Sequence, residues 1–204
     1  FVATPLSAQS KGIATSADPR ATAAGAEILA KGGSASDAAM AMMLALTVVE
    51  PQSSGIGGGG FLVHYDANGA TISTINGRET APAAATPQRF TDAEGKPLPF
   101  LQAFPGGKSV GVPGNISLMA EAHRKWGKLK WAEIFKPAIR LADKGFVVNQ
   151  TLDSRLDMIQ RLWPQFATAK SIYWIDGKPA KAGMTLRNPE LAKTLKLIAK
   201  KGPN

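Results

Sequence analysis

Arg78-Glu79 is the pair in this sequence whose residue types and placement could hold a substrate. It follows a stretch predicted as a strand and precedes Thr80-Ala81-Pro82. A guanidinium at a strand end can grip a carboxylate through two parallel, charge-assisted hydrogen bonds. The adjacent Glu79 could hold that arginine in place or bind a substrate ammonium. A surface ion pair, worth under about 1 kcal/mol, would use the same two residues. Residue types alone favour that plainer reading. Gly57-Gly58-Gly59-Gly60 invites comparison with a phosphate loop. No Lys-Ser/Thr follows the glycines, and the next element reads as a strand rather than a helix. The run is better explained by backbone that approaches neighbouring chain or a small ligand closely, or that adopts positive φ.

Other catalytic chemistry is thinly supplied. A serine–histidine triad needs a base beside its nucleophile, and the histidines are His64 and His123 alone. His64 lies between Val63 and Tyr65 in a predicted strand, and His123 lies on a predicted helix with Glu121 and Arg124. Both read as structural or surface groups. The absence of cysteine excludes disulfides, thiolate metal sites and a cysteine nucleophile. Two isolated histidines do not make a metal site, so neither cofactor nor metal is expected.

The elements that must position Arg78 can be read from periodicity. Arg20–Lys31 places Ala23, Ala24, Ile28 and Leu29 on one helical stripe, and Gly32-Gly33 stops it. Ser34 or Ser36 can cap a second helix running to Val49. That helix is apolar nearly all round, so it should be buried, packed on a sheet containing the strands that follow. Those strands are Phe61–Asp66 and Thr71–Asn76, joined by Ala67-Asn68-Gly69 as a hairpin. From Glu79 to about Asn115 the chain is punctuated by proline and has little periodicity, which is usual for a functional loop or a wrapping arm. Helices are expected over Ile116–Trp126 and Trp131–Lys144. A third should be capped by Asn149 or Thr151 and end near Trp163-Pro164. Ile172–Trp174 with Asp176-Gly177 suggests a small hairpin. Asn188-Pro189-Glu190 opens a last helix that Gly202-Pro203 stops. Helices before and after a hairpin indicate an α+β element of a layered fold.

Composition bounds the function classes. The 204 residues, 44% of them hydrophobic, suffice for one substantial core. No apolar run approaches the ~18 residues that span a bilayer, so no membrane span is expected, and no signal peptide is visible at Phe1. The net charge of +9 is uneven. Residues 1–100 hold 6 Lys/Arg and 8 Asp/Glu (6 − 8 = −2), and residues 101–204 hold 18 and 7 (18 − 7 = +11). The cations are dispersed and few aromatics alternate with them, so a solvated helical face is expected rather than a nucleic-acid surface. A non-catalytic anion-binding module is the alternative from another class.

Several segments, taken in order, change the weight given to Arg78. Ala24-Gly25-Ala26-Glu27-Ile28-Leu29-Ala30-Lys31-Gly32-Gly33 precedes Ala35-Ser36-Asp37-Ala38-Ala39. Val49-Glu50-Pro51-Gln52-Ser53-Ser54-Gly55-Ile56 runs into Gly57–Gly60 and Phe61, and Gly77-Arg78-Glu79-Thr80-Ala81-Pro82 follows. Later come Gly111-Val112-Pro113-Gly114, Trp126-Gly127-Lys128, and Pro137-Ala138-Ile139-Arg140-Leu141-Ala142 with Gly145-Phe146. No single motif decides, but order and spacing together resemble the γ-glutamyltranspeptidase family, from about Ile13 to Pro203.

The resemblance implies an N-terminal-nucleophile hydrolase fold, a four-layer α-β-β-α sandwich. Residues 1–204 would be a single incomplete domain, the N-terminal portion of the large subunit. It implies a precursor that cuts itself, a small-subunit partner whose N-terminal Thr is the nucleophile, and that residue's own α-amine as base. Donors would be glutathione and related γ-glutamyl compounds. Acceptors would be water, amino acids or peptides. In the family the Arg of the R-E-T/M-A-P motif binds the α-carboxylate of the γ-glutamyl group, a role that falls on Arg78, with Glu79 supporting the site. A glutaryl-removing cephalosporin acylase and a poly-γ-glutamate transpeptidase are alternatives of the same fold. A periplasmic or secreted bacterial protein is expected. The catalytic Thr would lie beyond Asn204, so this segment alone should show no γ-glutamyl transfer and should dissolve poorly.

Overall fold

The computed structural model describes residues 12–160 and 166–202. Helix α1 (Pro19–Ala30) begins where the carboxylate of Asp18 accepts from Arg20 N at 2.8 Å, with Pro19 at the first position. The chain leaves it through Gly32, at φ 83°. Helix α2 (Ala35–Val49) is capped by Ser34, not Ser36. Asp37 N donates to Ser34 Oγ, and Ser34 N donates back to the Asp37 carboxylate. Asp37 also receives Lys128 N and Leu129 N at 2.9 and 3.1 Å, which ties this cap to a distant turn.

Strands β1 (Gly60–Asp66) and β2 (Thr71–Gly77) pair antiparallel, with Leu62 opposite Ile75 and Gly60 opposite Gly77. The expected turn is one residue longer, and positive φ falls on Ala70 (48°) rather than Gly69. The residues after β2 form short turns and α3 (Phe100–Ala103), in keeping with the weak periodicity there. Helices α4 (Asn115–Trp126) and α5 (Trp131–Lys144) follow as predicted. Short strand β3 (Phe146–Val147) leads to α6 (Gln150–Ile159), whose cap is Asn149, accepting from Leu152 N. The predicted end near Trp163-Pro164 lies outside the described residues.

One predicted element is corrected. Ile172 and Tyr173 close helix α7 (Ala167–Tyr173) instead of opening a hairpin. The hairpin is shorter, β4 (Trp174–Ile175) against β5 (Lys178–Pro179). Its turn residues Asp176 and Gly177 both have positive φ, 50° and 76°, as a two-residue primed turn requires. Seven residues carry too few periods to separate a helix from a strand, and β-branched and aromatic side chains bias the reading toward strand. Strand β6 (Thr185–Leu186) returns to pair with β3. Helix α8 (Pro189–Lys201) has Asn188 as cap, Pro189 first and Glu190 in its first turn.

The core is built around α2. Met40, Ala41, Leu44, Ala45 and Val49 are fully buried, together with Ile28 from α1, Phe135 from α5 and Leu195 from α8. Small residues Ala21, Ala24 and Ala45 let α1 and α2 lie close. The expectation that α2 packs on the hairpin is only partly met. Its main neighbours are α1, α5 and α4, and the hairpin rests chiefly on α4. A helix that is apolar all round has more surface to bury than a two-stranded ribbon can cover. His64 touches α2 at Ser36 (3.3 Å) and stacks on Trp126 at 4.1 Å. His123 Nε2 lies 2.8 Å from Leu129 O. Both histidines therefore hold elements together. The outer face of the hairpin exposes Phe61, Val63, Tyr65 and Ile72. Many cations of the basic half pair locally, as Arg124 with Glu121 and Lys193 with Glu190 do along their helices.

Asp18 carries a buried charge that joins the start of α1 to the segment before α6. Its carboxylate receives Arg20 Nε at 2.7 Å and Asn149 Nδ2 at 3.2 Å, while Arg20 also reaches Val147 O. Burial pushes the Asp18 carboxyl up, but the hydrogen bonds and charge of Arg20, with the Asn149 amide, outweigh it and leave the group below its ordinary value. A carboxyl lowered in the folded state contributes stability that is complete above its unfolded value of 3.8 and is lost as pH falls through the lower folded value. Asp18→Asn should therefore cost about 2 kcal/mol at neutral pH. Melting of the full-length variant and parent should converge as the pH drops below that range. A constant gap down to the most acidic pH would exclude the charge as the cause.

Candidate functional site

The site is built where the end of β2, the glycine run and the segment before α4 meet. Each of the three is held by backbone. Thr80 N donates to Val112 O at 3.3 Å, and Val112 N donates to Thr80 O at 2.8 Å, so the chain after Arg78-Glu79 is bridged to residue 112. Gly114 N and Asn115 N both donate to Gly58 O at 3.1 Å, and Asn115 Nδ2 donates to Gly55 O at 2.7 Å. The glycine run thus lies over the start of α4, pinned by a buried asparagine side chain.

Close approach, not positive φ, explains Gly59 within this run. None of Gly57, Gly58, Gly59 or Gly60 has positive φ. A Cβ on Gly59 would stand 2.5 Å from Gly77 O, 2.6 Å from Glu79 Oε2 and 2.7 Å from Glu79 N. One on Gly111 would meet Glu79 Cβ at 2.9 Å. Glycine on both sides therefore lets Glu79 pack between two backbone segments. Its side chain is one-third exposed, and its Oε2 lies 3.5 Å from Arg78 Nε. Arg78 follows β2 as predicted, its N–H fixed on Asn76 Oδ1 at 2.9 Å and its side chain 71% exposed.

Arg78 and Glu79 line one cleft of ≈ 450 Å³ with Thr80, Arg89, Lys108 and Gly111. Arg89 and Lys108 were not singled out by sequence, since nothing in their spacing marks them. The tie between their turns is tertiary: Arg89 Nε donates to Lys108 O at 2.6 Å and Nη2 to Gly107 O at 3.2 Å. Asn115 was also missed as a site-building residue, although it directly follows the Gly111–Gly114 segment. With one ion pair made through Nε, the two terminal nitrogens of Arg78 face no carboxylate among the described residues. That is the arrangement a planar carboxylate can meet with two parallel bonds. No group of three or more acidic or histidine side chains suited to a metal occurs among the described residues.

A family model described as gamma-glutamyltranspeptidase matches residues 21–204. The chain belongs to the γ-glutamyltranspeptidase family. Among relatives, it is 44% identical over 191 residues to a glutathione hydrolase proenzyme of Bacillus subtilis, a match covering 94% of the chain and 32% of that protein. The γ-glutamyltranspeptidase of Helicobacter pylori superposes with a TM-score of 0.90 at 33% identity, covering 97% of this chain and 56% of that one. A cephalosporin acylase of Bacillus halodurans superposes with a TM-score of 0.78 at 31% identity, covering 90% and 34%. The chain spans about a third of the length of the curated relatives it matches. Its fold is that of the N-terminal-nucleophile hydrolases to which these γ-glutamyltranspeptidase structures belong, with helices packed beside a β-hairpin layer.

Proposed function

We propose that this chain is the N-terminal portion of the large subunit of an enzyme that cleaves the γ-glutamyl amide of glutathione and related compounds. The acyl group passes to water or to an amino-acid or peptide acceptor. The observation that carries this reading is Arg78, which lines an open cleft with its Nε 3.5 Å from the Glu79 carboxylate and no carboxylate paired with its terminal nitrogens among the described residues. In this reading Arg78 takes the donor's α-carboxylate and Glu79 keeps the guanidinium plane in place. The nucleophile is a Thr freed at the start of a small subunit by self-cleavage, with its own α-amine as base. The name proenzyme carried by the B. subtilis relative supports a processed product. The exposed apolar face of Phe61, Val63, Tyr65 and Ile72 is a surface for the rest of that polypeptide to cover. The whole enzyme works outside the cytoplasm, where peptide donors are met, and fractionation of the full-length protein tests this.

The likeness to a cephalosporin acylase favours one second reading, removal of a glutaryl side chain. Glutaryl and γ-glutamyl groups both end in a carboxylate that Arg78 could hold, but only the γ-glutamyl group has an α-amine. Turnover of γ-glutamyl and glutaryl anilides by the full-length processed protein separates the two. Faster γ-glutamyl turnover is expected. Faster glutaryl turnover would move the assignment to an acylase.

A further inference from the structure

The Arg78 cleft holds more positive charge than one substrate carboxylate accounts for. Three cations line it, Arg78, Arg89 and Lys108, against one carboxylate, Glu79, which is engaged by Arg78. Arg89 spends Nε and Nη2 on the carbonyls of Lys108 and Gly107, so its task is to fix that turn. The backbone of Lys108 is thereby held, while its ammonium has no carboxylate partner among the described residues. The turn is also locked to Arg78's own segment, through the Thr80–Val112 bridge and the contact of Gly111 with Glu79. Like charges kept in one cleft by backbone bonds repel one another. Lys108 is itself exposed.

We propose that Lys108 is a second carboxylate subsite. It would bind the terminal carboxylate of the leaving group in γ-glutamyl peptides, while Arg78 holds the α-carboxylate. This rests on the reading of Arg78 as donor anchor. The substrate class it selects is a γ-glutamyl donor with a free carboxylate beyond the scissile amide, in preference to neutral amides and anilides. A fixed backbone carrying an ammonium on a flexible four-carbon stem suits leaving peptides of differing length.

The test compares γ-glutamylglycine with γ-glutamylglycinamide as donors for the full-length processed protein. The parent should favour the acid, and added salt should shrink that preference because the pair is solvent-facing. Lys108→Gln should lose roughly 5- to 30-fold in kcat/KM on the acid and less than about 2-fold on the amide. Lys108→Arg should recover part of the loss. Equal use of acid and amide by the parent, or an acid-to-amide ratio unchanged in Lys108→Gln, overturns the proposal. Arg78→Gln is the companion variant and should fail on both donors alike. If it turns over both at the parent rate, the anchor reading itself fails, an outcome distinct from a negative result at Lys108.

Discussion

Replacing Arg78 by Gln or Lys in the full-length, processed protein should lower kcat/KM for a γ-glutamyl donor by roughly 10-fold to several hundred-fold. Charge-assisted hydrogen bonds are worth about 1.5–3 kcal/mol each, and about 1.4 kcal/mol is a factor of ten. Lysine should not rescue the loss. It offers a point charge where the guanidinium presents two aligned donors, and Glu79 has no second nitrogen through which to steady it. The 71% exposure of the Arg78 side chain argues for the lower part of the range if the rest of the enzyme leaves the cleft open to water. If the anchor acts equally on the ground and transition states, KM rises and kcat holds. If it also orients the amide for attack, both suffer. Parental kinetics in processed Arg78→Lys and Arg78→Gln would end the case for this residue as the anchor. Processing must be checked on the same samples, because a merely structural arginine would reduce maturation and leave the kinetics of the matured enzyme unchanged.

Gly59→Ala should remove most activity, whereas Gly57→Ala should leave it intact. The two glycines lie in one run, but only the first would clash. A Cβ at position 59 meets Gly77 O, Glu79 Oε2 and Glu79 N at 2.5–2.7 Å, while one at position 57 meets nothing within 4 Å. Two of those three atoms are backbone, so the strain cannot be relieved by a rotamer change. The end of β2 must move, carrying Arg78 and Glu79 with it. Overpacking of this kind costs about 1–3 kcal/mol in stability, and a misplacement near 1 Å at a binding group can cost about 100-fold in rate. Gly57→Ala should stay within about 0.5 kcal/mol of the parent. Melting temperature and kcat/KM measured on both variants check this. Equal behaviour of the pair, in either direction, would refute the assignment of the glycine run to close packing behind Glu79.

What the sequence determined by itself follows from local signals. The buried α2 was legible because its apolar residues occur all round the helix, whereas its cap was narrowed only to Ser34 or Ser36 and the structure chose Ser34. The β1–β2 hairpin was legible from alternation, α8 from Asn188-Pro189-Glu190, and the Asp176-Gly177 turn from its residue types. Arg78 could be located, and the ordered series of motifs supplied a role that its residue type alone did not. Tertiary structure decided the rest, because it depends on contacts between residues far apart in the chain. Periodicity cannot tell which element covers a buried face, so α2 was expected on the hairpin and lies mainly among helices. Strands of two residues, such as β3 and β6, have no period to read and exist only because the chain returns. Gly59 could be assigned to close approach only when Glu79 and Gly77 O were seen against it. Arg89 and Lys108 joined the cleft only through carbonyl bonds spanning 18 and 19 residues, a separation at which residue types carry no record of which groups will meet.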